Sequence, residues 1–209
     1  MYLGHSPIVK LENCKFLNNV AKEQTNAGGG ALFVRDSNTS ILKAIFIKNV
    51  AHGKYGSGGA VYLSQGEKHE LTDISFQENS ADYLGGAIYS LYRFSSDDPK
   101  SRMLLELRVS VFEENESGLG GGAIFVDKGV DARFWDCRLK NNRAPTKANS
   151  DAEYAGGSAI GSMIDWTEER SEVKIRSSEV PNGSVRLQGN VNYLGDDKYL
   201  QQPLETAPQ

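Results

Sequence analysis

Four charged side chains in one polar stretch could carry out acid–base chemistry: Asp97, Asp98, Lys100 and Arg102. Carboxylates beside cations can act as general acid or base when a fold holds them at a groove. The same composition is typical of a solvated loop. The histidines show neither metal-ligand spacing nor a partner cysteine or histidine, and we expect each to be solvated: His5, His52 and His69. We therefore expect no catalytic residue, no metal site and no cofactor.

The elements that would position any such group come from a repeat, Phe-x-x-Asn. Its copies are Phe16/Asn19, Phe46/Asn49, Phe76/Asn79, Phe112/Asn115, the variant Leu139/Asn142 and a degenerate sixth copy, Leu187/Asn190. Successive copies are 30, 30, 36, 27 and 48 residues apart. Periods of about 20 to 50 residues indicate a solenoid or an array.

Glycine pairs follow these copies, and each opens a short run with β propensity, as in GGAVYL at 58–63 and GGAIYS at 85–90. Such runs predict strands and exclude helical repeats. A propeller needs about four strands in 40 to 50 residues, and the steps are too short for that. The pattern predicts an all-β fold, a parallel β-helix of about five to six coils. Two polar stretches predict loop insertions, LYRFSSDDPKSRMLL and RAPTKANSDAEYA.

Stacked coils place like residues above one another, about 4.8 Å apart. The phenylalanine column then fills the core, and each ring contributes about 1.5–3 kcal/mol on burial. The asparagine column forms a structural ladder at a turn, in which the amides bond to the coils above and below. Its members are Asn19, Asn49, Asn79, Asn115, Asn142 and Asn190.

Two neighbouring columns follow the glycine pairs and must point to opposite faces of their strands. We expect the aliphatic column to lie inside: Leu32, Val61, Ile88 and Ile124. The aromatic column is then a candidate ligand-binding ladder on the outside: Phe33, Tyr62, Tyr89 and Phe125. Outward aromatic rings could stack on sugar rings or on an apolar surface of a partner. The alternative is that these rings lie beneath the insertions.

Two further pairs of residues are not expected to form a functional site. Cys14 and Cys137 share a column but stand four coils apart, about 19 Å, which is too far for a disulfide. We expect them to be small core residues. Asp73 and Asp136 also share a column, but Val109 separates them, so they make a poor calcium or acid–base pair.

The length and net charge of the chain limit the classes of partner and the number of domains. The 209 residues with a net charge of −4 argue against nucleic acid as a partner. No apolar run of about 18 residues is present, so we expect no membrane-spanning helix. No signal peptide is visible at the start of the sequence. We expect one β-helix domain over 1–195 and a polar tail over 196–209.

The paired motif, Phe-x-x-Asn with Gly-Gly-Ala-Ile, resembles the repeats of the chlamydial polymorphic outer membrane proteins. It also resembles the wider group of pectin-lyase-like β-helix repeats, which implies a right-handed coil. The first resemblance implies a segment of an exported surface adhesin, at the cell surface or outside the cell. The second implies carbohydrate-active enzymes, which use carboxylates and basic residues gathered on one outer face.

The outer surface beside the asparagine corner changes from apolar to charged along the axis. In the first two coils it carries Leu17, Val20, Ile47 and Val50. Folded monomers rarely expose a contiguous apolar patch without a use for it, and open strand edges invite another chain. We therefore expect an interface here, covered by additional coils, by a second copy or by another subunit. The alternative is that residues 1–10 or a loop cover it.

These observations favour a non-enzymatic module for adhesion or structural assembly, with a protein or glycan partner. The alternative is a carbohydrate-active β-helix enzyme, a polysaccharide lyase or hydrolase, acting through the insertion that contains Asp97 and Asp98.

Overall fold

The computed structural model describes residues 1–24, 27–92, 102–127, 129–145, 159–162, 171–176, 178–180, 185–186 and 191–194. Within these ranges the chain forms twenty-three β-strands, numbered in chain order, and no helix. They form four sheets in which every strand pair is parallel. The prediction of an all-β parallel β-helix is confirmed.

Sheets 1 and 2 run the full length of the described coils, with seven strands each. Sheet 1 contains β1 (Tyr2–Gly4), β5 (Leu32–Arg35), β9 (Val61–Ser64), β13 (Ile88–Leu91), β17 (Ile124–Val126), β20 (Ile160–Ser162) and β22 (Val185–Arg186). Sheet 2 contains β2 (Ile8–Glu12), β6 (Asn38–Leu42), β10 (Lys68–Thr72), β14 (Met103–Arg108), β18 (Val130–Trp135), β21 (Ser171–Arg176) and β23 (Val191–Leu194).

Sheets 3 and 4 are shorter, with five and four strands. Sheet 3 contains β3 (Lys15–Leu17), β7 (Ile45–Ile47), β11 (Ser75–Gln77), β15 (Val111–Glu113) and β19 (Arg138–Lys140). Sheet 4 contains β4 (Val20–Lys22), β8 (Val50–His52), β12 (Ser80–Ala81) and β16 (Glu116–Ser117). One coil therefore uses a strand from each sheet in turn, as in β1 to β4.

The register aligns the repeat columns residue by residue. Phe16, Phe46, Phe76 and Phe112 pair in sequence across sheet 3. Their rings stack with centroids 4.7, 4.9 and 4.8 Å apart, close to the spacing of adjacent strands. The last three rings are fully buried. The axis of the core is thus filled by one continuous column of aromatic rings.

The glycine pair combines two different requirements, as Gly58 and Gly59 show. Gly58 has φ +67°, a conformation that side chains with a Cβ rarely adopt. Gly59 has no Cβ because that atom would lie 2.1 Å from the carbonyl oxygen of Gly86 in the next coil. The first glycine makes the turn, and the second lets neighbouring coils approach.

The other corners use residues with a side chain in the left-handed conformation. After sheet 2 these are Asn13, Lys43, Asp73, Val109 and Asp136, and after sheet 3 they are Asn18, Lys48, Glu78, Glu114 and Asn141. The column that contains Asp73 and Asp136 is therefore a row of corner residues. Asparagine and aspartate tolerate this conformation, whereas a β-branched valine is strained in it.

The two predicted insertions lie partly outside the described residues, at 93–101 and 146–158. The first is shorter than the sequence suggests, since Leu91 ends β13 and Met103 begins β14. Asp97, Asp98 and the predicted tail over 196–209 also lie outside the described residues.

Candidate functional site

Aromatic rings form a stack on the outer face of sheet 1. Centroids are 5.4 Å apart between Tyr2 and Phe33, 4.7 Å between Phe33 and Tyr62, and 4.8 Å between Tyr62 and Tyr89. The stack ends on Phe125, 6.0 Å from Tyr89. The aliphatic column of the same strands lies in the core, with Leu32, Val61, Ile88 and Ile124 fully buried. The strand alternation therefore points each column as the sequence predicts.

Accessibility falls along the stack from the N-terminal end. Tyr2 is 59% exposed, Phe33 and Tyr62 are half-buried, Tyr89 is 7% exposed and Phe125 is fully buried. The buried rings form a second apolar cluster with three leucines, Leu84, Leu91 and Leu119. Tyr89 and Phe125 are therefore inaccessible to a ligand, and ligand binding by the aromatic column stays a prediction for Phe33 and Tyr62. The Tyr89 hydroxyl instead donates a hydrogen bond to the buried carboxylate of Asp127.

Tyr2 belongs to the same column, and the sequence interpretation missed it. It pairs with Phe33 in the parallel register of β1 and β5. Extending the aromatic column by one period toward the N-terminus would have found it, since Tyr2 precedes Phe33 by 31 residues. We call Tyr2, Phe33 and Tyr62 the aromatic end. They are the rings of this stack that solvent reaches.

A cleft of about 490 Å³ lies beside the aromatic end. Tyr2 and Phe33 line one side, Val20 and Glu23 belong to the lining, and Arg35 adds a cation. Backbone of the Gly28–Gly30 turn also borders it. The cleft therefore offers one apolar wall and two opposite charges beside the first coil.

The asparagine ladder lies at the corner between sheets 3 and 4. Each internal amide makes the same bonds: the Nδ2 group of Asn79 donates to the Phe46 carbonyl at 3.0 Å and to the Asn115 Oδ1 at 2.9 Å. Its Oδ1 accepts from the backbone N–H and the Nδ2 group of Asn49, at 3.0 and 2.9 Å. Asn49, Asn79 and Asn115 are fully buried. Asn190 lies outside the described residues.

The apolar surface of the first two coils, the candidate interface, faces solvent at its N-terminal side. Leu17 is 49% and Val20 is 57% exposed, while Ile47 and Val50 are half-buried. The nearby side chains of Met1 and Ile8 are also more than half exposed. Residues 1–10 therefore do not bury Leu17 and Val20.

The expectation that all histidines are solvated is wrong for His69. Its side chain is fully buried in β10, and Nε2 lies 2.8 Å from the Gln65 carbonyl oxygen, to which it donates. Burial lowers the pKa of His69 to about 4. The strand alternation of KHELT, in which His69 and Leu71 share a face, was the available signal. His69 is thus a neutral core residue.

The remaining reactive groups do not form a site within the described residues. Burial raises the pKa of Cys137 to about 11, which keeps its thiol protonated, and Cys14 is a free thiol as well. His52 Nδ1 lies 3.2 Å from Asp82 Oδ1 on the surface. No group of three potential metal ligands occurs among the described residues. No helix in the described part of the chain is long and apolar enough to cross a membrane.

Comparisons with known proteins agree with the repeat geometry. Segments 73–91 and 109–127 match the Chlamydia polymorphic membrane protein repeat. The predicted resemblance to these repeats is confirmed. The matched segments contain Phe76/Asn79 and Phe112/Asn115, each with the glycine turn and sheet 1 strand that follow.

A longer similarity extends over most of the chain. It is 32% identical over 199 residues to a probable autotransporter, YfaL, from Escherichia coli strain K12. The alignment covers 84% of this chain and 15% of the relative, so the chain spans about a seventh of that protein's length. No solved structure matches the chain significantly.

Proposed function

We propose that the chain is a non-enzymatic β-helix module of a surface or extracellular protein, with a role in adhesion or assembly. The observation that carries the proposal is the aromatic end, where Tyr2, Phe33 and Tyr62 stack beside an open cleft. Similarity to a probable autotransporter and to repeats of a membrane protein family supports the location.

The stacking restricts how a partner can contact these rings. Both faces of Phe33 lie against other rings, so it offers its edge, while Tyr2 offers one open face. Aromatic edges beside a polar rim suit the apolar core of a protein interface. A sugar ring that stacks face to face on an aromatic ring could use only Tyr2 among these three rings, because both faces of Phe33 are covered and Tyr62 stacks on Phe33 and Tyr89. The geometry therefore favours a protein surface over a stacked glycan at this end of the stack.

The experiment compares binding of the chain and of Phe33→Ser/Tyr62→Ser to a panel of purified extracellular proteins and glycans. Tyr55, which is 41% exposed on another corner, supplies the matched control Tyr55→Ser. Removal of two anchor rings should weaken binding at least about tenfold, and the control should not.

An enzyme assay tests the non-enzymatic part of the proposal. Acidic polysaccharides are incubated with the chain, and unsaturated or reducing ends are measured. Release of such ends that is lost in Asp97→Ala/Asp98→Ala would overturn the proposal and favour a polysaccharide lyase or hydrolase.

The candidate interface, Leu17, Val20, Ile47 and Val50, is proposed to be covered by a further coil of the same type. Asn19 is the first member of the asparagine ladder. Asn49 Oδ1 accepts two hydrogen bonds from Asn19, and Asn19 Oδ1 could accept the same two bonds from an asparagine of a further coil. The half-buried ring of Phe16 likewise stacks on Phe46 and leaves its other face open to a further ring. Such a coil could belong to a longer chain or to a second copy. It would stack on the free face of Tyr2 and on Val20, and the partner proposed above would then contact the ring edges of Phe33 and Tyr62.

Light scattering over a range of concentrations tests the second-copy arrangement. Association that Leu17→Lys/Ile47→Lys abolishes supports it. A chain that stays monomeric at high concentration excludes self-association at this end, and a longer stretch of the protein should then bury the four side chains.

A further inference from the structure

The outer face of sheet 2 becomes basic in the fourth to sixth coils. Strands β14, β18 and β21 point Leu105, Phe134 and Val173 into the core. Alternate residues of the same strands face outward, and we call the following set the basic face: Arg108, Arg133, Trp135, Lys174 and Arg176. Because the strands are parallel and in register, these side chains form two adjoining rows along the axis.

One row alternates guanidinium and indole. Arg108 pairs with Trp135 and Trp135 with Arg176 in the register of the sheet. The guanidinium carbons lie 5.6 and 5.3 Å from the Trp135 ring centroid, one on each side in the stacking direction. Cation–π attraction holds both guanidinium groups in place. The row is thus an ordered set of donors.

The second row contains Arg133 and Lys174, which follow Glu106. Glu106 is 6% exposed and already has two cations, with Arg108 at 2.9 Å and Lys68 at 3.5 Å. Arg133, Lys174 and Arg176 make no ion pair with any residue that the structure describes. Three cations of the basic face are therefore without an anionic partner among the described residues.

Among the described residues, Arg133 Nε and Trp135 Nε1 are buried without a hydrogen-bond partner. A buried donor without an acceptor is unfavourable. Guanidinium groups bind carboxylate and phosphate oxygens in a bidentate way, and a sulfate group presents a similar set of oxygens.

The surrounding charges confine this surface. The chain as a whole has a net charge of −4, so the basic face is a local excess. Asp131 precedes the basic residues on β18 and lies 4.0 Å from Arg102. The three strands of the basic face span about 10 Å along the axis, from the fourth to the sixth coil.

We propose that the basic face binds a linear acidic polysaccharide, one whose sugars carry sulfate or carboxylate groups. Arg133 and Lys174 lie on adjacent strands, about 4.8 Å apart, and Arg108 and Arg176 lie two strands apart, about 9.6 Å. Cations placed at multiples of one spacing suit a linear polymer with regularly placed charges. Single-stranded nucleic acid needs open aromatic faces for its bases, and both faces of Trp135 are occupied. An anionic membrane would be bound through charge too, but within the described residues the basic face has one exposed aliphatic side chain beside it, Val109, and not an apolar surface that could enter a bilayer. The proposal deepens the binding function proposed above by naming a ligand class for a second surface.

The test measures binding of the whole chain to heparin, to polygalacturonate and to neutral dextran by isothermal titration or surface plasmon resonance. Heparin and polygalacturonate separate sulfate from carboxylate recognition. We expect binding to at least one of them, none to dextran, and steep weakening as the salt concentration rises from about 0.05 to 0.5 M.

Arg133→Ala/Lys174→Ala/Arg176→Ala should weaken this binding at least about tenfold, from the summed effect of one exposed and two half-buried charges. The matched control Lys10→Ala/Lys15→Ala/Lys22→Ala removes the same charge from exposed positions of the first coil and should bind as the parent does. Phe33→Ser/Tyr62→Ser should also bind as the parent does, which separates this surface from the aromatic end.

Three results would overturn the proposal. These are equal binding to dextran, equal loss in the first-coil control, and binding to neither acidic polysaccharide. Tighter binding to phosphatidylserine vesicles than to either polymer would assign the basic face to a membrane instead.

Discussion

Replacing Asn79 with alanine tests whether the asparagine ladder holds neighbouring coils together. The side chain takes part in four hydrogen bonds of 2.9 to 3.0 Å and is fully buried. Truncation leaves the backbone N–H and one Nδ2 hydrogen of Asn49 without their acceptor. The Phe46 carbonyl and the Asn115 Oδ1 each lose a donor.

The magnitude follows from the unpaired groups. A buried donor that loses its acceptor costs about 1–3 kcal/mol, and carbonyl oxygens that keep another donor cost less. Asn115 Oδ1 keeps the bond from the Asn79 backbone N–H at 3.0 Å. The two donors of Asn49 therefore dominate, and we expect a loss of about 3 kcal/mol in the free energy of unfolding.

Urea denaturation followed by circular dichroism measures this loss as a lower midpoint at unchanged slope. Gln77→Ala is the matched control, because it removes an amide from the same coil at a half-buried position outside the core. It should change stability by less than about 0.5 kcal/mol. Equal midpoints for the Asn79→Ala variant and the parent would refute the argument from unpaired donors.

Asn79→Asp tests the donor role of the Asn79 side chain. A carboxylate cannot donate a hydrogen bond to the Phe46 carbonyl or to Asn115 Oδ1. Burial against two acceptors should raise its folded pKa above the unfolded value of about 3.9. The destabilisation is then complete above the folded pKa and shrinks as the pH falls toward the unfolded pKa. A variant whose stability relative to the parent does not improve in acid would contradict this arrangement.

Four further substitutions test other parts of the fold. Phe76→Ala should lower the free energy of unfolding by about 3–5 kcal/mol, because it opens a cavity in the ring column, and a denaturant midpoint equal to the parent's would count against that column. Gly59→Ala should prevent cooperative folding, since the added carbon would meet the Gly86 carbonyl oxygen at 2.1 Å; a thermal melt like the parent's would contradict this. Val109→Asn should raise stability by about 1 kcal/mol, because valine is strained at φ +50° and 56% exposed, and asparagine already fills this corner at Asn13. The folded pKa of His69 lies near 4, below its ordinary value of 6.5, so stability should be constant above about pH 6.5 and fall by up to about 3 kcal/mol as the pH drops to 4. His69→Gln should remove that part of the pH dependence in urea titrations, and an unchanged profile would be inconsistent with a buried neutral imidazole.

The repeat columns determined the parallel β-helix because each column has one physical task. Phe76 can lie at the axis only if the residues one coil away also leave room for a ring. Gly59 must lack a Cβ because the next coil's backbone passes at that point. These requirements recur in every coil, so the sequence carries them as a visible period. The inward direction of Val61 and the outward direction of Tyr62 follow from strand alternation alone.

Exposure along the outer surfaces could not be predicted in the same way. Tyr62 and Phe125 share a column, yet one is half-buried and the other fully buried. Whether an outward side chain reaches solvent depends on what packs against it from distant segments, as Leu84 and Leu119 do in the second apolar cluster. His69 was likewise predicted to be exposed because histidine is polar. It lies on the buried face of β10.

The sequence by itself determined the coil, its core columns and its asparagine ladder, since those depend on contacts between equivalent positions one period apart. Tertiary structure alone decided which outward residues form surfaces that can bind. Arg108, Trp135 and Arg176 are separated by 27 and 41 residues, and the unequal coil lengths hide their common row. Parallel pairing brings them into adjacent strands, where a guanidinium can reach an indole. The physical reason is that register, and not sequence distance, sets which side chains are neighbours in a stacked sheet.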